Sequence, residues 1–387
     1  MTEVIKDYFL LDPNIHFLNH GSFGACPKQV FIEYQKWQRV MEIQPVEFLG
    51  RHITLHMENA REKLAEYINC KTDELVYFSN PTTAINMVIR NLPLQQGDEI
   101  LATNHEYGAL DRAWKFISNK TGAIYINRPV PIPVTSKDEF ISSFWSGVTE
   151  KTKIIFLSHI TSPTALTFPV EEICRMARDA GILCVLDGAH VPGHISLDVG
   201  EVGADVYVGA CHKWLCAPKG SSFIYARREV QAILDPLVIS WGYEAEEPGP
   251  SQFIDYHEWQ GTRDMSAFLS VPAAIMFQKE HHWEKVRETC NILLITTLEE
   301  INQRFGTKPI SPYTNNWFNQ MATIQLPDLN VRLLKARLYD EFQVEVPIFT
   351  WNEKIFMRIS VQGYNDERDT YALIRGLTDL LPKIVKK

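Results

Sequence analysis

The stretch DVYVGACHKWLCAPKGSSFIYA, Asp205 to Ala226, delivers one lysine, Lys213, at the end of an apolar run, between His212 and Trp214. A lysine at the mouth of a core strand must pair with an acid or exist as something other than a free ammonium, because an unpaired buried charge is costly. Asp187 poses the same problem with the opposite sign. It closes the apolar run ILCVLD and precedes Gly188, Ala189 and His190. Twenty-six residues separate the two, about one strand-to-strand crossover, so they can stand side by side in a sheet. A direct Asp187–Lys213 ion pair is one reading. A flat cationic ring between them, its protonated nitrogen on the carboxylate and its aldehyde carbon on the amine, is the other.

Further residues at the ends of apolar runs favour the ring. NPTTAIN places Thr82 and Thr83 in the first turn of a helix, where free N–H groups and hydroxyls hold an anion; a plain N-cap is the simpler alternative. DEILATN is followed by His105, Glu106 and Tyr107, and Tyr107 can offer a flat aromatic face. TKIIFLSHI ends in Ser158, His159, Thr161 and Ser162. A ring with a phosphate, an aldehyde and a basic nitrogen is pyridoxal phosphate. Thr82 and Thr83 then hold its phosphate, Tyr107 stacks on it, Asp187 keeps the ring nitrogen protonated and Lys213 bonds its aldehyde carbon.

The elements that must position these residues follow from the pattern. Between about Glu74 and Ala226, short β-branched runs (ELVYFS, DEILATN, TKIIFLSHI, ILCVLDGAH, DVYVGA) alternate with helical segments (TTAINMVIRNL, PVEEICRMARDAG), predicting an α/β fold with a mostly parallel sheet covered on both faces. In such sheets ligands collect beyond the carboxyl ends of the strands. Beyond about Ser270, helices such as LLKARLYDEF and DTYALIRGLTDLLPKIV surround MATIQL and FMRISV, reading as a smaller α+β domain. The expected division is an N-terminal arm over 1–20 that joins the small domain, a large cofactor-binding domain over 21–270, and a small C-terminal domain over 271–387. YEAEEPGPSQ, acidic and rich in Pro and Gly, reads as a loop.

Bulk properties narrow the partners. The 387 residues are 45% apolar, enough for sizeable cores, and the formal net charge of −9 argues against nucleic acid. There is no apolar run of membrane-spanning length and no leader pattern, so no membrane partner and a cytoplasmic address are expected. Seven scattered cysteines read as reduced core thiols. His52 and His56, at i, i+4 spacing, lack a glutamate after His52 and read as a helix face, so no metal site is expected. APKGSS lacks the order of a P-loop, and HGSFG lacks a full dinucleotide fingerprint.

The segments FLNHGSFGACP, NPTTAIN, GDEILATNHEYGA, SHITSPTA, LDGAH, GACHKWLCAPKG, QGTRD and FMRISV together resemble the class V group of fold-type I pyridoxal-phosphate enzymes, which contains cysteine desulfurases, kynureninase and isopenicillin N epimerase. The chain looks most like the epimerase branch, which also holds carbon–sulfur lyases of ergothioneine synthesis. The resemblance implies a seven-stranded-type sheet in the large domain and a homodimer with shared active sites. It makes Lys213 the Schiff-base lysine and Asp187 the partner of the ring nitrogen, with His190 or Ser162 near the phenolic oxygen. His212 joins Thr82 and Thr83 on the phosphate, and Thr262 reaches the phosphate of the neighbouring subunit. Arg358 clamps the substrate carboxylate, a role that suits a planar guanidinium.

Two departures from the group stand out. Desulfurases carry a persulfide-forming cysteine on a loop before that arginine, and EVPIFTWNEKIF has none; many relatives have a hydroxyl or amide two or three residues before the lysine, and here stand Ala210 and Cys211. The expected substrate is an amino acid or a derivative, with chemistry at Cα or Cβ: epimerisation, elimination or transamination, according to where a proton is delivered. Tyr107, His20 and His105 are candidate second acids, and His20 a candidate substrate contact. Class V aminotransferase or desulfurase-like activity is the alternative, and a non-catalytic binding protein with the same fold the alternative of another class, which the presence of both Lys213 and Asp187 disfavours.

Overall fold

The computed structural model describes residues 5–314 and 316–385. Residues 1–4 of the expected arm, and 315, 386 and 387 of the expected small domain, lie outside the described residues. Twelve strands are named in chain order: β1 (His16–Phe17), β2 (Leu75–Phe78), β3 (Glu99–Thr103), β4 (Ile124–Arg128), β5 (Thr152–Ser158), β6 (Leu183–Gly188), β7 (Val206–Ala210), β8 (Ser222–Ala226), β9 (Met321–Leu326), β10 (Val344–Glu345), β11 (Ile348–Trp351) and β12 (Lys354–Ser360).

Seven of them form one sheet in the order β2-β8-β7-β6-β5-β3-β4. The neighbours from β4 through β7 are parallel and only β8 runs against its neighbours, which is the mostly parallel sheet expected. Strands β2, β6, β7 and β8 are buried almost throughout, as strands covered on both faces must be. Two packed cores follow, one on each face: Tyr77, Leu101, Ile155, Leu186 and Tyr207 point into one, and Val76, Ile100, Phe156, Val185 and Val208 into the other.

Five of the seven strands are the five apolar runs named from sequence. The two additions are β4, whose IYINR is only partly buried at the sheet edge, and β8, the SFIYA that returns antiparallel after the turn at Pro218–Gly220. The helices Pro81–Asn91 and Val170–Asp179 stand where their patterns placed them. Tyr243 to Ser251 carries no helix or strand, in keeping with its acidic, Pro/Gly-rich composition.

A second layer uses β11-β12-β9, all antiparallel, and the short parallel pair β1-β10. Strand β1 binds the N-terminal arm to this C-terminal sheet region, and a bridge between Asn19 and Ser360 continues the attachment. β11 and β12 are joined by Asn352-Glu353, both with positive φ (48° and 61°), which is the backbone of a tight two-residue hairpin. Among the described residues no helix is long and apolar enough to cross a membrane.

Candidate active site

The carboxyl ends of the central strands meet a cavity of about 300 Å³ lined by Ser158 at the end of β5, Asp187 near the end of β6, and His212 and Lys213 just after β7. Parallel pairing of β5 with β6 sets Ser158 opposite Asp187, and pairing of β6 with β7 brings the chain to Lys213 alongside. Asn80, Pro81 and Thr82 supply another wall from the start of the helix Pro81–Asn91, Tyr107 another from the start of the helix Gly108–Thr121, and Arg358 of β12 another. A roomier groove of about 520 Å³ is lined by Lys279, Lys285 and Arg287, among others, and holds no buried carboxylate beside an amine.

The charges in the cavity are held without neutralising one another. Asp187 is buried, and its Oδ1 accepts from the Ala189 amide at 2.9 Å. Burial pushes its carboxyl up, against that hydrogen bond and the attraction of Lys213. Lys213 makes no ion pair with Asp187; its Nζ lies 3.2 Å from His190 Nε2. Desolvation brings its amine down to about 8 despite the pull of Asp187. The direct ion pair considered from sequence is therefore not formed.

His190 explains part of this. Its Nδ1 accepts from the indole Nε1–H of Trp214 at 3.3 Å, which puts the proton of the neutral ring on Nε2. Burial drives His190 well below the usual histidine range, so the ring is neutral. A neutral Nε2–H facing Lys213 Nζ donates to an unprotonated amine, and so favours the nucleophilic form.

Arg358 is the third buried charge. Its Nη1 donates to the Ser162 carbonyl at 2.7 Å and Oγ at 3.2 Å, its Nη2 donates to Ser22 Oγ at 3.1 Å, and its Nε is buried with no hydrogen-bond partner. No carboxylate pairs with it among the described residues. Burial lowers it to about 10, with the Tyr107 phenol acting the other way. A desolvated guanidinium on a cavity wall without a counter-ion is built for an anionic ligand.

The N-terminal motif NHGSFG holds both cations in place. His20 is fully buried, with Nε2 3.0 Å from the Lys213 carbonyl and Nδ1 2.9 Å from Tyr364 Oη. Gly24, at φ +68°, lies so close that a Cβ there would collide with the His212 and Lys213 backbone. On the other side Ser22 Oγ donates to Asn19 Oδ1 at 2.5 Å and Asn19 donates to Glu345 at 2.9 Å, a chain that ends on the Arg358 guanidinium.

The predicted residues divide accordingly. Thr82, Tyr107, Ser162, Asp187, His190, His212, Lys213 and Arg358 line one cavity. Thr83 does not: its hydroxyl and amide are both spent on the Asn80 cap, and Asn80 faces the cavity instead. His20 sits behind Lys213 and is not on the wall. His105 is buried, between Thr164 Oγ1, the Val130 carbonyl and the Trp351 ring. Thr262 is exposed on the bend after the helix Gln252–Glu258 and lines no part of the cavity. Reasoning from sequence missed Asn80, Ser22 and the buried Glu106; the Asn-Pro start of NPTTAIN signals the first as an N-cap.

These residues fit pyridoxal phosphate on the chemistry of the donors. A buried carboxylate lacking a cation suits a protonated ring nitrogen, and an amine brought down to about 8 suits an aldehyde. Asn80, Thr82 and the partly exposed His212, whose Nδ1 lies 2.7 Å from the Ser221 carbonyl, suit a phosphate at a helix N-terminus. Ala210 and Cys211 are fully buried, and Asn80 and Thr82 line the cavity at the helix start.

The comparisons agree. The chain is 32% identical to the isopenicillin N epimerase of Amycolatopsis lactamdurans over 97% of each chain. It is 26% identical to the L-cysteine desulfhydrase of Arabidopsis thaliana over 94% of this chain and 87% of that one. The fold superposes on the cysteine desulfurase from Thermococcus onnurineus NA1 with a TM-score of 0.84 at 18% identity, covering 98% of this chain and 97% of the other. The sequence pattern of the family described as aminotransferase class-V matches residues 26–373, and the chain belongs to that family of pyridoxal-phosphate enzymes.

Proposed function

We propose that the chain is a carbon–sulfur lyase: it removes the α-proton of an amino acid held by its carboxylate and eliminates a sulfur-bearing group from Cβ. The observation that carries this reading is that the cavity combines one free amine base, Lys213, with one unpaired guanidinium, Arg358. Arg358 orients the substrate carboxylate through a paired hydrogen bond. The cofactor, when bound, supplies an electron sink for the pair left at Cα. Lys213, about 8 in its buried setting, is deprotonated in a useful fraction near neutrality, takes the α-proton, and returns it to the departing sulfur. The balanced outcome is R–S–CH2–CH(NH2)–COOH plus water giving R–SH, pyruvate and ammonia.

One base suffices for that sequence. Epimerisation requires a second acid that reaches Cα from the other face. His190 is held neutral, and burial brings His212 to about 4, so neither is a ready proton donor. Tyr107, half exposed at the start of its helix, is the remaining candidate, and the similarity to an isopenicillin N epimerase makes epimerisation the second reading. A persulfide route has less support: the segment before Arg358 is the tight β11–β12 hairpin, which carries no cysteine.

We propose further that the site is completed in a homodimer and that the enzyme works in the cytoplasm. Trp241 (86% exposed), Ile239 (66%), Ile43 (82%) and Val46 (71%) leave an apolar surface uncovered, and Trp241 shares a groove with Ile53 and Met57 of the helix Ile53–Ile68. A second copy of the chain is its natural cover, with Thr262 directed at the partner's phosphate. Sedimentation of the purified protein is expected to give twice the chain mass, and a monomer at micromolar concentration would remove this part.

The reaction is tested by incubating the purified enzyme with cysteine, cysteine conjugates and sulfoxides in deuterated buffer. Pyruvate and ammonia are expected in equal amounts, matched by a thiol from cysteine conjugates, sulfide from cysteine and a sulfenic acid from sulfoxides. Deuterium at Cα of recovered substrate with inverted configuration would move the assignment to epimerase.

Capture of added pyridoxal phosphate by cofactor-free enzyme depends on the deprotonated Lys213 amine, so its rate rises with pH, by roughly tenfold per unit below about 8, and levels above. The visible absorbance change follows it. A rate that stays flat, or that survives in Lys213→Ala, contradicts the assignment of the amine.

Arg358→Gln is expected to raise KM for an α-amino acid on the order of 10- to 100-fold, the worth of a charge-assisted hydrogen bond, while the cofactor absorbance stays intact. An unchanged KM places the carboxylate elsewhere.

A further inference from the structure

Glu106 is a buried carboxyl group with no cation on it. It stands between β3 and the helix Gly108–Thr121, and its oxygens are satisfied by three neutral donors: Thr103 Oγ1 on Oε1 at 2.6 Å, and the Ser158 amide and hydroxyl on Oε2 at 2.8 and 2.7 Å. Such a group costs free energy that packing alone does not return. The charged or titratable groups that face it are Asp187 from β6 and Tyr125 from β4.

Ser158 is the link to the cavity. It lines the cavity and pairs with Asp187 across β5 and β6. Its one hydroxyl hydrogen is spent on Glu106, so toward the cavity it offers only lone pairs. The floor therefore presents two acceptors, Asp187 and Ser158, backed by a second carboxyl group. A floor of that kind favours a donor that carries positive charge.

We propose that Glu106 is a positioning residue of the cofactor site, which acts through Ser158 to make the cavity floor select the protonated form of the ring nitrogen at Asp187. The inference rests on the reading that this cavity takes pyridoxal phosphate. The electrostatics agree with it: burial raises Glu106 to about 7, the nearby Asp187 adds to the rise, and a cation at Asp187 offsets both, so Glu106 ionises as the cationic ring arrives. Glutamine at this position keeps the size and an acceptor for Ser158 and removes the charge.

The test titrates cofactor-free wild type and Glu106→Gln with pyridoxal phosphate, and with its carbocyclic analogue in which carbon replaces the ring nitrogen. The variant is expected to bind pyridoxal phosphate about tenfold more weakly, the equivalent of one pKa unit, and the analogue as tightly as wild type does. Equal binding of pyridoxal phosphate by both proteins overturns the proposal. So does an equal loss for both ligands, which would make Glu106 a packing residue. Should Glu106→Gln fail to fold, Ser158→Ala carries the same comparison, with loss expected for pyridoxal phosphate alone. A wild type that binds neither ligand removes the cofactor reading itself, a result distinct from the failure of Glu106.

Discussion

Three charges, on Asp187, Lys213 and Arg358, are held out of water without cancelling one another, and the rest of the structure has to make that tolerable. An unpaired ion in a protein interior costs several kcal/mol, and a neighbour of opposite sign is the usual remedy. Here the remedy is refused. Lys213 turns to a neutral His190, Asp187 to a backbone amide, and Arg358 to a carbonyl and two serine hydroxyls. The molecule stores an electrostatic demand that a protonated ring nitrogen, an aldehyde and the carboxylate of a second ligand can together meet.

Rigidity is what keeps the charges apart. Trp214, fully buried, donates to His190, packs a face on His194 at 4.0 Å between ring centroids, and meets the His20 ring at 4.8 Å. The histidines around it are driven neutral by burial, so they order Lys213 without adding positive charge. His20 then takes the Lys213 carbonyl, and the Glu345–Asn19–Ser22 chain takes Arg358. The N-terminal segment, which could pass for a mere leader to the fold, joins the lysine of the large sheet to the arginine of the small one.

The parallel sheet and the meeting of Asp187 and Lys213 on one cavity were legible in the sequence because they depend on short-range signals. Apolar runs of strand length end in residues that such strands cannot bury cheaply, and the spacing between two such ends is that of one crossover. The same logic failed for His20 and His105. Each follows a strand-like segment, but nothing local says whether an imidazole faces a cavity or a buried carbonyl, and both face carbonyls. Thr83 failed for a different reason: an Asn-Pro-Thr-Thr start can cap its own helix, and the cap consumed the second threonine. Strand β8 was hidden because an antiparallel return inside an α/β pattern breaks the alternation. Glu106 was visible as a residue and silent as a function, since its meaning comes from Ser158, fifty-two positions away.

Reaction type rests on a finer scale than fold. Relatives named for epimerisation and for desulfhydration match this chain over nearly its whole length, at 32% and 26% identity. What differs between those outcomes is which atom receives a proton after Cα has lost one, and a proton moves only between groups within hydrogen-bond reach. In this chain the groups near Lys213 have been silenced one at a time: His190 by Trp214 and burial, His212 by Ser221 and burial, Ser158 by Glu106. Each silenced neighbour removes one competing destination for the proton. In the reaction proposed above, such a cavity leaves Lys213 and, on the wall, Tyr107 to carry the proton, and a carrier that takes and returns a proton on its own side leads to loss of a β-substituent more directly than to inversion at Cα.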